Sequence, residues 1–309
     1  MVAKRGSLLS RRGCLLAAVV ISIVVALALG LGIGLTREKH NSGASDSPST
    51  NTATQDNSSR SIELWHPESR LTWNYQIKEP VSSDPDQMYD VWVIDLFDNE
   101  PNTITALQYK GSRVICYFSA GSSEDWRSDA QNFSQADLGN DLAGWPGERW
   151  VNTNGTSVRD IMLSRLDLAV EKNCDGVDPD NMDAYNNDNG LDLTQADAID
   201  YSQFLADEAH QRGLSIGLKN ALEIVPEVVD TMQWSVNEQC VEYNECNALS
   251  PFIQQNKPVF HVEYPKGDVN DDRSVSMDAR AKACEALGES NFSTIIKNTD
   301  LDEWIETCA

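Results

Sequence analysis

The chain has 309 residues, with 24 Lys+Arg against 48 Asp+Glu and a formal net charge of −24. That length suits one large domain with additional segments. The acidic balance argues against broad binding of nucleic-acid phosphates, which needs a surplus of Lys and Arg, and against a domain held flat on an anionic membrane surface.

Residues 13–35 read GCLLAAVVISIVVALALGLGIGL, a run of 23 residues with one hydroxyl, Ser22, and no charge. A helix of about 20 apolar residues spans a bilayer core. Lys4, Arg5, Arg11 and Arg12 precede the run, whereas Arg37 and Lys39 follow it together with Glu38. The larger positive excess keeps the N-terminus cytosolic. The pattern predicts a tail over 1–12 and a single transmembrane signal anchor over 13–35. A cleaved signal peptide has a shorter apolar core, about 7–15 residues. Residues 41–309 then carry 18 Lys+Arg and 47 Asp+Glu, a charge of −29.

Nine of residues 41–60 are Ser or Thr, and none is a large apolar residue. Such a segment cannot bury enough surface to fold, so 36–60 is predicted to be a disordered stalk. The folded domain is expected over 61–309. The expected placement is a type II single-pass membrane protein with its folded domain outside the cell, at the cell surface, open to shedding through the stalk. Asn57, Asn132, Asn154 and Asn291 begin Asn-X-Ser/Thr tripeptides, which an exported glycoprotein can use. Six cysteines follow the anchor. An even number suggests three disulfides, and the short spacing favours Cys240–Cys246. Fifteen pairings are possible, and Cys116–Cys174 with Cys284–Cys308 is the expected remainder. With four His and no close Cys-X-X-Cys pair, neither a metal nor a cofactor is expected.

Eight short β-branched or aromatic runs follow, at 71–76, 89–95, 113–119, 176–180, 215–219, 233–236, 258–262 and 292–296. Their continuous apolar character suits strands buried on both faces. Helical patterns lie between them at 158–173, 195–212 and 277–287. In the second, Ala198, Tyr201, Leu205 and Ala209 share one face, and Gly213 caps the end. Eight strand–helix units in about 250 residues predict an α/β fold, a (β/α)8 TIM barrel. The long interval 119–157 holds Trp126, Trp145 and Trp150. These can stack on sugar rings or form a small core of the loop itself.

Barrel active sites form at the C-terminal ends of the strands. The polar residues there are Tyr75, Asp95 with Asp98, Tyr117 and Ser119, then Asp178, Asp180 and Asp183 in CDGVDPDNMDAY, Lys219 and Asn220, Glu238, and Glu263 with Tyr264. None of His40, His66, His210 and His261 is placed for a Ser-His-Asp site. Paired carboxylates on a barrel rim suit glycoside hydrolysis. Asp180 and Glu238, each at the end of an apolar strand, form the best pair. Asp183 and Asp98 read more readily as helix caps or ion-pair partners.

The segments CDGVDPDNMDAY, GLKNA, WSVNEQC and FHVEY, in this order at successive strand ends, resemble glycoside hydrolase family 114, the endo-α-1,4-polygalactosaminidases. The likeness covers most of residues 70–300 and is strongest to the fungal, membrane-anchored, spherulin-4-like form tied to galactosaminogalactan. It implies endo-acting, retaining hydrolysis of α-1,4-linked galactosamine by Asp180 and Glu238. The analogy with other α-glycosidase barrels that use the fourth and sixth strands, rather than the family itself, makes Asp180 the expected nucleophile and Glu238 the expected general acid, then base. The acid is expected to have a raised pKa. A cationic polysaccharide is the expected partner, attracted by the acids of the cleft, and the working unit is expected to be a monomer. Tyr75, Asp95, Tyr117, Asp178, Lys219, Asn220 and Glu263 are the expected substrate contacts. Lys219 is expected either to bridge Asp178 and Asp180 or to bind a ring hydroxyl. Two alternatives stand beside this reading. One is a type II Golgi glycosyltransferase using the Asp-X-Asp at 178–180. The other is a sugar-binding barrel without catalysis.

Overall fold

A computed structural model describes residues 64–285 and 291–308. The strands, in chain order, are β1 (Trp73–Gln76), β2 (Val91–Asp95), β3 (Arg113–Ser119), β4 (Ser122–Glu124), β5 (Leu138–Asp141), β6 (Glu148–Val151), β7 (Gly176–Asp180), β8 (Ser215–Lys219), β9 (Trp234–Glu238), β10 (Val259–Glu263), β11 (Ser293–Lys297) and β12 (Ile305–Thr307). The helices are α1 (Pro101–Tyr109), α2 (Thr156–Glu171), α3 (Gln195–Gln211), α4 (Val225–Val228), α5 (Cys240–Tyr243), α6 (Ser250–Gln254) and α7 (Met277–Ala283).

Eight parallel strands run in the order β1-β2-β3-β7-β8-β9-β10-β11, and β12 adds an antiparallel edge to β11. These eight are the strands expected from the sequence, each within two residues at either end. Across the seam between β1 and β11, Trp73 donates its indole N–H to Ser293 O at 2.8 Å, and Lys297 Nζ donates to Asn74 Oδ1 at 3.2 Å. The result is a mostly closed barrel with helices around it.

Pleating sorts each strand into two faces, because successive side chains alternate. Trp73 and Tyr75, Val91 and Val93, Ile115 and Tyr117, Trp234 and Val236, Phe260 and Val262 fill the inside. Trp92, Ile94, Cys116, Phe118, Val177, Ile216 and Leu218 face the helix layer. Trp234 lies so close to β8 that a Cβ on Gly217 would meet its Nε1 at 1.9 Å. Only glycine fits there.

The helix layer follows its sequence cues. In α3, Thr194 and Asp197 form a reciprocal capping box, while Ala198, Tyr201, Leu205 and Ala209 are buried. Gly213, at φ 79°, takes the left-handed turn that ends it. The bridges Cys116–Cys174, Cys240–Cys246 and Cys284–Cys308 all form, in the pairing expected. The interval 119–157 carries a small antiparallel sheet of order β4-β6-β5. Trp150 is buried there against Ala184 and Leu193, whereas Trp126 and Trp145 are each 54% exposed.

The expectation of a barrel carrying a transmembrane helix is corrected. Among the described residues no helix is long and apolar enough to cross a membrane. The longest, α2 and α3, have 16 and 17 residues and carry several charges each, against the roughly 20 apolar residues a span requires. The fold is therefore stated as the barrel alone. The signal anchor, the membrane as a partner and the type II cell-surface placement have no support in the structure. The tail, the 13–35 run and the 36–60 stalk lie outside the described residues.

Candidate active site

The inward residues at the C-terminal strand ends meet over the barrel mouth. A cleft of about 530 Å³ is lined there by Tyr75, Asp95, Tyr117, Asp180, Lys219, Asn220 and Glu238, among others. At its floor, Lys219 Nζ lies 3.1 Å from Asp180 Oδ1 and 3.0 Å from Glu238 Oε2. One ammonium thus joins the two carboxylates, and these contacts hold the facing oxygens within about 6 Å of each other. Lys219 bridges Asp180 and Glu238 rather than Asp178 and Asp180.

Each carboxylate is fixed from further directions. Tyr117 donates its hydroxyl to Asp180 Oδ2 at 2.9 Å, and the Asn181 N–H donates to Oδ1 at 2.7 Å. Tyr264 donates to Glu238 Oε1 at 2.5 Å, and Asn220 Nδ2 donates to Oε2 at 2.9 Å. Burial alone pulls the Lys219 pKa down, but the charges of Asp180, Glu238 and Asp178 outweigh it and hold the group ammonium. Burial pushes Glu238 up, yet the Lys219 charge and the hydrogen bonds from Tyr264, Asn220 and Lys219 carry it below the ordinary glutamate value. The expectation of a raised pKa on this acid is not met. Burial and neighbouring acids raise Tyr75, Tyr117 and Tyr264 well above an ordinary phenol, so all three keep their protons and can donate.

Two expected contacts do not reach the cleft. Asp178 shares the inward face of β7 but lies one pleat deeper, fully buried, and neither carboxylate oxygen has a hydrogen-bond partner among the described residues. Burial pushes its pKa up to about 7. Glu263 neighbours Val262, an inside residue, and so points outward. It accepts from the Val241 N–H at 2.9 Å and sits 2.8 Å from His261 Nε2. Asp95 does line the cleft, but Arg127 holds both its oxygens, and it also caps the Phe97 and Asp98 N–H groups.

The β4–β6 insertion supplies a wall that strand-end reasoning misses. Arg127 ties Glu124 to Asp95. Glu148 accepts from Ser122 Oγ at 2.9 Å, and Ser122 in turn accepts from Asn181 Nδ2 at 2.8 Å. Burial pushes the Glu148 pKa up to about 7, opposed by the Ser122 hydrogen bond and aided by the Glu124 and Asp180 charges. Asp183, also in the cleft wall, is raised by burial and then by Asp180. Trp126 and Trp145 give this wall exposed aromatic faces. The sequence marked the tryptophans but not these glutamates, because short strands in an irregular insertion leave no periodic signal.

One cluster among the described residues has metal-ligand geometry, Cys240, Cys246 and His261. Its two cysteines are joined in a disulfide and offer no thiolate.

The chain is similar to the crystal structure of Aspergillus fumigatus Ega3 in complex with galactosamine, at 53% sequence identity. The match covers 79% of this chain and 97% of that one, with a TM-score of 0.77. The glycoside hydrolase domain of PelA from Pseudomonas aeruginosa shares the fold at 15% identity, covering 76% of this chain and 98% of that one, with a TM-score of 0.59. No curated protein matches the chain. Residues 54–309 match the glycoside-hydrolase family GH114, and the chain belongs to that family.

Proposed function

We propose that this glycoside hydrolase cuts α-1,4-linked galactosamine within a partially deacetylated galactosaminogalactan-type polymer, with retention at the anomeric carbon. The observation that carries the reading is the single Lys219 ammonium between Asp180 and Glu238. It keeps the facing carboxylate oxygens no more than about 6 Å apart, below the separation of inverting enzymes, about 6.5–9.5 Å, and compatible with that of retaining ones, about 5–5.5 Å. The galactosamine in the Aspergillus fumigatus Ega3 complex supports the choice of sugar.

In the first step a carboxylate oxygen of Asp180 attacks the anomeric carbon. The glycosidic C–O bond breaks, and Glu238 gives its proton to the departing oxygen. In the second step Glu238 takes a proton from water. The water oxygen then bonds to the anomeric carbon and Asp180 leaves as carboxylate. Lys219, Tyr117 and Tyr264 hold the two acids in place through both steps. The low Glu238 pKa means that the group must gain its proton from solvent before the first step. Activity should therefore rise as pH falls from 7 toward 5, since the protonated fraction grows as pH drops toward the pKa.

The transferase alternative needs both acids of Asp178-Pro179-Asp180 open to a metal and a nucleotide. Asp178 is fully buried, which removes one of the two ligands. The direct test is incubation with α-1,4-galactosamine oligomers, with product lengths read by mass spectrometry and the anomer formed read by NMR. Internal cuts and a retained α-anomer are expected, with rates that fall as salt rises. Release of single sugars from one end, an inverted product, or faster cutting of fully N-acetylated polymer would overturn the reading.

A further inference from the structure

Glu263 and Tyr264 are consecutive, and from opposite faces of the sheet one holds the start of α5, just beyond Glu238, and the other holds Glu238 itself. Tyr264 grips the Glu238 carboxylate from inside the barrel at 2.5 Å. Glu263 grips the Val241 N–H from outside at 2.9 Å. Val241 lies in α5, three residues beyond Glu238, and between them Gln239 takes a left-handed φ of 63°. The chain therefore turns sharply just after Glu238, and the direction of that turn fixes where β9 ends.

Glu263 is itself held. His261, two residues earlier on the same outward face, places Nε2 2.8 Å from Glu263 Oε1. Its Nδ1 lies 3.1 Å from Thr294 Oγ1, and Thr294 is its register partner on β11. In the tautomer in which Nε2 donates to Glu263, Nδ1 accepts from the Thr294 hydroxyl. All three residues are buried. The Cys240–Cys246 bridge braces the same turn, with its sulfurs within 4.8 Å of a His261 ring nitrogen.

We propose that the Thr294–His261–Glu263 chain is a positioning device for Glu238, fixing its carboxylate against Asp180 through the Val241 backbone. The proposal rests on Glu238 being the acid/base of the proposed function. Glu263→Ala removes the anchor. It should lower kcat at least tenfold, leave KM within about twofold, and shift the limb of the pH–rate profile that follows Glu238. Glu263→Gln keeps an oxygen for the Val241 N–H and should restore kcat to within about threefold of wild type. Thr294→Val cuts the outermost link and should lower kcat about two- to fivefold. It serves as the test if Glu263→Ala does not fold.

A merely structural role would lower Tm in Glu263→Ala without moving the pH profile, and without rescue by Gln. Wild-type kcat and pH profile in a folded Glu263→Ala would overturn the proposal, as would an unchanged kcat in Thr294→Val where Glu263→Ala fails to fold. The parallel variant Glu238→Gln separates the two failures. An active Glu238→Gln sinks the assignment of the acid/base itself, whereas an inactive one beside a fully active Glu263→Ala sinks only the positioning chain.

Discussion

Glu238 and Glu263 end neighbouring strands, β9 and β10, and bear the same carboxylate. Glu238 pairs in parity with Trp234 and Val236 and so faces the barrel interior. There it meets an ammonium, a phenol and an amide in the cleft. Glu263 follows Val262 and faces outward, where it meets a backbone N–H and an imidazole. One residue of register separates a group available to substrate from a group available only to the fold. Residue type and a place at a strand end do not make a site; pleat parity completes the condition.

The largest effect should separate the two directly. Glu238→Gln and Asp180→Asn should each lower kcat by about 10³-fold or more with Tm near wild type, since each removes a reacting group of the proposed mechanism. The same Glu→Gln change at Glu263 should leave most activity. Equal losses at both positions would show that pleat parity does not separate the roles of Glu238 and Glu263. Oligomer cleavage followed by mass spectrometry reads both.

Lys219→Met should come next, at about 10²-fold in kcat, because it strips the shared positive charge from Asp180 and Glu238. The sign of the pH effect follows from the cause. Lys219 lowers the Glu238 pKa, so its loss raises that pKa and moves the alkaline limb of the kcat/KM profile to higher pH. A limb that stays in place, or moves down, would contradict the charge argument.

Asp178 tests depth rather than parity, since it faces inward below the cleft. Its folded pKa of about 7 lies above an unfolded value near 3.8. Between roughly pH 4 and 7 the native state holds a proton that the unfolded state has lost, so this group makes stability fall as pH rises through that window. Asp178→Asn removes the dependence. Denaturant titration should show the variant gaining on wild type across the window, by at most about 4 kcal/mol at neutral pH. A constant difference would refute the assignment.

The smallest effect is expected at the cleft wall. Glu148, with a pKa of about 7, carries its charge chiefly above that pH. Glu148→Gln should raise KM for deacetylated oligomers about threefold at pH 8 and hardly at all at pH 5.5. A loss of equal size at both would place Glu148 in a packing role.

The eight strands were legible because each is a short apolar run, and burial on both faces leaves that mark regardless of what surrounds it. Asp180 and Glu238 were legible because they close such runs, and the Cys240–Cys246 bridge because its two cysteines lie close in the chain. The spacing could not say which neighbour Lys219 would bridge, because that depends on how β7, β8 and β9 splay around the mouth. Nor did the 119–157 interval reveal that Glu124, Arg127 and Glu148 form a wall, since its strands are three or four residues long and pair across distant positions.

Local patterning and covalent spacing along the chain are enough for the order of strands and helices and for the acids at the strand ends, and they favour the Cys240–Cys246 pair, leaving the other two bridges as an expectation. Packing between distant strands sets which acids share the cleft, puts Asp178 beneath it and Glu263 behind it, and lowers rather than raises the Glu238 pKa. Facing, depth and charge balance are properties of what packs against a residue, and those partners come from strands distant in the chain.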